Sequence, residues 1–271
     1  MRYVKVALIC SLSLFWSLSS SAVEYTVTTA EDMADTLPGD GVCKTSTLQC
    51  SLRAAIQEAN AHPGTDRVTL FPRTYNLTIA GAQENSSTTG DLDITDNVII
   101  ANYYLDPTNC FIDASQINDR VFHIVAPAIN VTLEGITIRG GNQLDTKSGG
   151  AGICIRCETD NLTKSSYQLN DAGGYVDLSR PSVTLRKVII DNNHDAVAGG
   201  GIANAGLLLI EDSVISNNVT PYTQIQAMMM MGQTMDFGTG EYLGGGTGGG
   251  IINWGGEITI RRSIIDNNII I

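Results

Sequence analysis

The sequence predicts an all-β fold: a right-handed parallel β-helix with three short strands per coil of about 25 residues and an N-terminal α-helical cap. Three observations predict it. Four segments repeat one apolar pattern, Asn-Asn pairs lie near the end of three of these segments, and runs of glycine precede a further set of apolar residues. Stacked coils of this kind bury like residues on like residues.

The repeated pattern has apolar residues at i and i+2, a polar break, and apolar residues at i and i+2 again. Two short strands that meet at a bend have this pattern. The copies are "NVTLEGITIRGGN", "SVTLRKVIIDNNH", "LLLIEDSVISNNV" and "EITIRRSIIDNNI", at 130–142, 182–194, 207–219 and 257–269. Their equivalent positions predict one buried aliphatic column, formed by Leu133, Leu185, Ile210 and Ile260.

A third strand in each coil is indicated where glycines precede Ile153, Ile202 and Ile251. The copies at 182–194 and 207–219 start 25 residues apart, whereas the other neighbouring copies start 52 and 50 residues apart. The extra length predicts two loop insertions, at about 156–181 and 219–246.

The Asn-Asn pairs mark the turn after the second strand, because asparagine tolerates the left-handed backbone conformation. Stacked asparagines also form ladders of amide hydrogen bonds. We therefore expect a structural role for the pairs Asn192-Asn193, Asn217-Asn218 and Asn267-Asn268. The glycines are expected to lie at crowded corners of the chain.

The N-terminus predicts export. Basic residues, an apolar run and small residues over 1–22 form a secretory signal, cleaved after Ala22, and no later stretch is long and apolar enough to span a membrane. Without Arg2 and Lys5 the net charge changes from −12 to −14, which disfavours nucleic acid as a partner.

We expect a cap with the first strands over 23–95 and the β-helix over 96–271. The chain ends within a repeat, so a missing C-terminal portion is expected.

The cap is predicted at 51–60, "SLRAAIQEAN", where Ser51 is a natural N-cap and one helical face is apolar. A disulfide between Cys43 and Cys50 would tether its start. Cys110, Cys154 and Cys157 allow more than one pairing. For "CIRC", at 154–157, a disulfide in an exported protein is favoured over a zinc site, because no second cysteine pair and no suitably spaced histidine accompany it.

"CSLRAAIQEAN", followed in order by "GDLDI", "DRVFHI" and the "GGGI" repeats, resembles the CSLREA-motif secreted bacterial β-helix proteins over residues 24–271. The resemblance implies a pectin-lyase-like fold and an extracellular or cell-surface role. Ala54 departs from the motif, which has Glu there, so a capping box with Ser51 is lost. The repeats are also similar to those of polymorphic outer-membrane autotransporter proteins.

A catalytic hypothesis follows from that fold, which includes polysaccharide lyases and glycoside hydrolases. Inverting hydrolysis needs two carboxylates about 6.5–9.5 Å apart. The candidates are Asp191 and Asp266, at equivalent repeat positions, with His194 and Asp195 close by. The alternative is that all four are solvated turn residues, and the sequence motifs of polygalacturonases and pectate lyases are absent.

"GDLDITDN" suggests a metal hypothesis. Asp91 and Asp93 would share one face of a strand with Asp96 at the next turn, an oxygen-rich set that suits Ca²⁺. Capping of the turn and strand end is the alternative, and no other cofactor is expected.

Three functions remain open. The favoured one is a non-catalytic secreted or cell-surface module whose long flank contacts a polysaccharide or a surface protein, because repeated coils present an extended surface. The second is a polysaccharide lyase or glycoside hydrolase. The third is a fragment of an autotransporter passenger.

Overall fold

The computed structural model describes residues 21–81, 84–144, 149–157, 180–196, 198–220, 249–254 and 256–271, and the backbone of two strands between 167 and 177. Residues 1–20 of the predicted signal and most of both predicted loop insertions lie outside the described residues. Within them the protein is an all-β fold built from parallel sheets, with one α-helix.

Sheet 1 is seven-stranded and parallel, and its strands neighbour one another in chain order. They are β1 (Glu24–Thr26), β2 (Asp66–Leu70), β5 (Val98–Asn102), β8 (Asn130–Glu134), β14 (Ser182–Arg186), β18 (Leu207–Glu211) and β22 (Glu257–Arg261). Sheet 2 is six-stranded and parallel. It contains β3 (Thr74–Asn76), β6 (Phe111–Asp113), β9 (Thr137–Arg139), β15 (Ile189–Asp191), β19 (Val214–Ser216) and β23 (Ile264–Asp266).

Sheet 3 is five-stranded and parallel, with β4 (Leu92–Ile94), β7 (Phe122–Ile124), β11 (Ile153–Ile155), β17 (Ile202–Asn204) and β21 (Ile251–Asn253). Sheet 4 has four two-residue strands, β10 (Asn142–Gln143), β16 (His194–Asp195), β20 (Val219–Thr220) and β24 (Ile269–Ile270). From β8 onward the chain visits sheets 1, 2, 4 and 3 in turn and then returns to sheet 1. The sequence predicts three strands per cycle and misses the fourth, because two residues are too few to show an alternating pattern.

The predicted aliphatic column is confirmed by the strand register. Leu185 pairs with Leu133 on one side and with Ile210 on the other, and Ile210 pairs with Ile260. The first three side chains are fully buried, and Ile260 packs against them from the last strand of sheet 1. Burial of each such side chain contributes about 1.5–3 kcal/mol, so this column is a principal source of stability.

The Asn-Asn turns also form as predicted. The first asparagine of each pair has a left-handed backbone, with φ of 53° at Asn192, 54° at Asn217 and 52° at Asn267. The second asparagines point inward and form a ladder. Asn193 Nδ2 donates to Asn218 Oδ1 over 2.9 Å, and Asn218 Nδ2 donates to Asn268 Oδ1 over the same distance.

Close backbone stacking explains the glycines before sheet 3. A Cβ on Gly152 would lie 2.5 Å from the carbonyl oxygen of Gly201, and one on Gly201 would lie 2.6 Å from that of Gly250. Because real Cβ atoms do not approach this closely, only glycine fits these corners.

The predicted cap is the helix α1 (Leu52–Ala61), and the Ser51 hydroxyl accepts from the Ala54 amide over 3.0 Å as an N-cap. It packs against β1, β2 and β4. The Cys43–Cys50 disulfide precedes it, and a second disulfide joins Cys154 to Cys157. Cys110 is a buried free thiol, and burial raises its pKa to about 12.

Within the predicted insertion at 156–181, the backbone forms an antiparallel hairpin of β12 (Tyr167–Leu169) and β13 (Tyr175–Asp177). No helix among the described residues is long and apolar enough to cross a membrane.

Candidate functional site

The most unusual polar site lies on sheet 3, on the face opposite the aliphatic core. Asp93, His123 and Cys154 occupy matching positions on β4, β7 and β11, because each strand pairs in register with the next. Their neighbours Leu92, Phe122 and Ile153 point into the core, and alternation along each strand turns this row to the other side. All three residues of the row are nonetheless buried.

Asp93 is held by the loop before β4. Its Oδ2 accepts from the Ser87 amide over 2.9 Å, while the Ser87 hydroxyl donates to the Asp93 carbonyl. Its Oδ1 lies 3.2 Å from Nδ1 of His123. Burial raises the pKa of Asp93 to about 7; the amide of Ser87 opposes the shift, and the charge of Glu84 reinforces it. This carboxyl therefore titrates near neutral pH.

Two further carboxyls extend the cluster. Burial raises the pKa of Asp91 well above its ordinary value, and the nearby charges of Asp93 and Asp119 raise it further. Burial also raises the pKa of Asp119. The Arg120 guanidinium opposes both shifts, since its Nε lies 3.3 Å from Asp91 Oδ2 and 3.7 Å from Asp119 Oδ1.

A second arginine joins the cluster to the cap. Arg53, on α1, is fully buried, and its Nε lies 2.7 Å from Asp32 Oδ1. Its guanidinium also donates to the carbonyl oxygens of Ser87, Gly90 and Asp91. The sequence identifies only the apolar face of this helix. In the structure its polar face is buried as well, which is tolerated because the Arg53 guanidinium is fully paired there.

Asp91, Asp93 and His123 form a group of potential metal ligands, with one ligand atom from each within 4.8 Å of the others. Asp96 lies outside this group. It follows the end of β4 in a turn, and its Oδ1 accepts from the Asn97 amide over 2.7 Å. An imidazole with two carboxylates suits zinc or manganese better than calcium, which prefers oxygen ligands alone. The sequence does not indicate His123, because only the pairing of β4 with β7 brings it beside Asp93.

A second acidic group contains Asp35, Asp40 and Glu58. Glu58 accepts from the amides of Gly39 and Gly41 over 2.7 and 2.8 Å, and Asp35 accepts from those of Leu37 and Lys44. These bonds order the loop before α1, so the group has a structural explanation.

The predicted catalytic residues lie on two sheets. Asp191 is on the outer face of sheet 2, where its Oδ1 accepts from Ser216 Oγ over 3.1 Å and from Asn217 Nδ2 over 2.7 Å. Asp266 lies two strands further along the same row and accepts from the Asn267 amide. Two strand spacings are about 9.6 Å, at the upper limit for an inverting pair of carboxylates.

His194 and Asp195 are adjacent on β16 and point in opposite directions. His194 is exposed, between Asn142 and Val219 in sheet 4. Asp195 is fully buried, and its Oδ1 accepts from the Ala198 amide over 2.8 Å, which stabilises the following turn. The four predicted residues therefore do not converge on one reaction centre.

Comparison with known proteins adds no relative: no family model, no curated protein and no solved structure matches the chain.

Proposed function

We propose that the protein is an exported right-handed parallel β-helix that binds a polysaccharide or a surface protein along its flank and is not itself a catalyst. The observation that carries the proposal is the register of the sheets. Equivalent residues of successive repeats pair directly in all four parallel sheets. Coils stacked in this way present long rows of side chains, a geometry that suits extended ligands.

The cyclic order of the sheets supports the β-helix. From β8 onward, each passage of the chain from sheet 1 back to sheet 1 adds one parallel strand to each of the four sheets, and crossovers between parallel strands are almost always right-handed. The helix α1 covers the first strands, as an end cap of such a stack would. Two disulfides suit an oxidising compartment outside the cell.

The placement of the acidic residues favours binding over catalysis. The carboxyls with the largest upward pKa shifts, those of Asp91 and Asp93, are buried beneath the loop before β4. On the outer face, Asp191 is engaged by hydrogen bonds from the next coil, and Asp195 stabilises a turn. A general acid and base need access to the substrate and a shared geometry. Asp91 and Asp93 are buried, and the two strand spacings between Asp191 and Asp266 lie at the upper limit for an inverting pair.

The test is incubation with a panel of neutral and acidic polysaccharides, with binding and product formation measured together. We expect retention of the protein by at least one polysaccharide and no new reducing ends or unsaturated products. Cleavage that disappears in Asp191→Asn but persists in the exposed control Asp212→Asn would contradict the proposal and favour the glycoside hydrolase or lyase.

A further inference from the structure

One loop at the edge between sheets 1 and 2 differs from the others. The connections after β8, β14, β18 and β22 are two residues long, at 135–136, 187–188, 212–213 and 262–263. The connection after β5 spans 103–110 and includes a 3-10 helix, Pro107–Asn109. The insertion packs on the corner of the next repeat, since the Thr137 hydroxyl donates to the Pro107 carbonyl oxygen and a Cβ on Gly135 would lie 2.5 Å from Leu105 Cα.

This insertion presents aromatic rings to solvent. Tyr103 and Tyr104 are each 63% exposed. The Tyr103 ring stacks on that of Phe71, with centroids 5.5 Å apart and an interplanar angle of 22°, and Tyr104 meets Tyr103 edge-on at 5.1 Å. We call Phe71, Tyr103 and Tyr104 the aromatic ledge. Exposed clusters of large apolar rings are unfavourable in water and commonly mark binding sites.

Hydrogen bonds hold the ledge in place before any ligand binds. The buried Asn102 donates through Nδ2 to the Asp106 carbonyl over 2.8 Å and to Asn109 Oδ1 over 3.1 Å, and its Oδ1 accepts from the Tyr104 amide. Leu105 takes a left-handed backbone, with φ of 54°. Such strain persists only where surrounding contacts fix it, and a pre-formed loop loses little entropy on binding.

Sugars match this chemistry. The C–H face of a pyranose ring is apolar and packs flat on an aromatic ring, while its hydroxyls need hydrogen-bond partners at the rim. Hydrogen-bonding groups close to the rings in the chain are the hydroxyls of the exposed Tyr103 and Tyr104 and the guanidinium of the exposed Arg73, two residues after Phe71. The chain carries a net charge of −12 at pH 7, which repels polyanions and favours an uncharged sugar.

We propose that the aromatic ledge is a binding subsite for a neutral polysaccharide, with Tyr103 as the main stacking platform. This inference rests on the proposed binding function and assigns it a location and a class of ligand.

The test is affinity electrophoresis in gels that contain β-glucan, xylan, galactomannan or, as an anionic comparison, polygalacturonate. We expect a neutral polysaccharide to retard the protein, and Tyr103→Ala/Tyr104→Ala to weaken its affinity about tenfold or more. Tyr103→Phe/Tyr104→Phe should retain most of the affinity, because the rings remain. Leu37→Ala is the matched control, since Leu37 is also 63% exposed and belongs to the loop before α1. Unchanged thermal unfolding verifies that the alanine variant is folded.

If a gel retards the wild type and the alanine variant equally, the ledge is not the binding subsite, whereas the proposed binding function is supported. Retardation by polygalacturonate alone would overturn the choice of a neutral ligand. If no gel retards the wild type, the ledge is not a polysaccharide-binding subsite, and the proposal that the protein binds a polysaccharide is contradicted as well. A surface protein as partner would then be tested separately.

Discussion

Replacement of Asn218 by alanine tests the amide ladder that joins successive repeats. The Asn218 side chain is fully buried. It makes four hydrogen bonds, in which Nδ2 donates to the Ile190 carbonyl and to Asn268 Oδ1, and Oδ1 accepts from the Asn193 amide and Asn193 Nδ2. Asn218→Ala removes all four bonds and leaves buried polar groups without these partners.

The magnitude follows from these bonds. Each contributes about 1 kcal/mol net, and an unsatisfied buried group costs about 1–3 kcal/mol, so we expect a loss of about 4 kcal/mol. In a chain of this size that loss lowers Tm by about 8–16 °C. Chemical denaturation followed by circular dichroism measures the free energy of unfolding directly.

Asn217→Gly is the matched control. Asn217 is exposed, and glycine readily takes its left-handed backbone conformation. Since Asn217→Gly loses only one hydrogen bond, to Asp191 Oδ1, we expect the free energy of unfolding to change by no more than about 1 kcal/mol. Equal losses in the two variants would refute the reasoning, because burial of the ladder would then have no energetic consequence.

Three further outcomes are expected. Gly150→Ala should lower the free energy of unfolding by about 3 kcal/mol or more, because φ at this position is 82° and a Cβ would lie 2.3 Å from the Ile153 carbonyl oxygen. Gly41 has the same φ but no atom within 4 Å of the added Cβ, so Gly41→Ala should cost only about 1–2 kcal/mol. Leu185→Ala should cost about 2–5 kcal/mol by the same measurement, since it opens a cavity in the aliphatic column. In EDTA, the free energy of unfolding should fall as pH rises from 5 to 8, because the folded state keeps the proton on Asp93 up to about pH 7 whereas the unfolded chain releases it near 4. Urea unfolding of Asp93→Asn should show a weaker pH dependence than that of the wild type. The same pH dependence in both proteins would contradict the raised pKa.

The sequence predicts most of the repeating body, since the column of Leu133, Leu185, Ile210 and Ile260 and the Asn-Asn turns follow from local pattern. It does not predict that Lys187, Asp212 and Arg262 take left-handed backbones at the bend between sheets 1 and 2. Gly135 occupies the equivalent place in an earlier repeat. Lysine and arginine rarely take this conformation, whereas aspartate takes it more readily, and all three residues occupy the same place in successive repeats.

The candidate site is less predictable than the body. Asp91 and Asp93 are recognisable in the sequence, but their partner His123 lies about 30 residues further along and reaches them only through strand pairing. Arg120 reaches Asp91 in the same way. The aromatic ledge depends on stacking between Phe71 and Tyr103, which directly follow the neighbouring strands β2 and β5 of sheet 1 and have no local pattern in common.

The central claim is that successive repeats stack in register, and an engineered disulfide tests it most directly. Thr184 and Leu209 are direct partners on the outer face of β14 and β18, so Thr184→Cys/Leu209→Cys should form a cross-link under mild oxidation. The pair Thr184→Cys/Glu211→Cys places the second cysteine two residues further along, about 8 Å away, and should not. Cross-linking of the offset pair alone, or of both pairs equally, would contradict the register and with it the stacked coils.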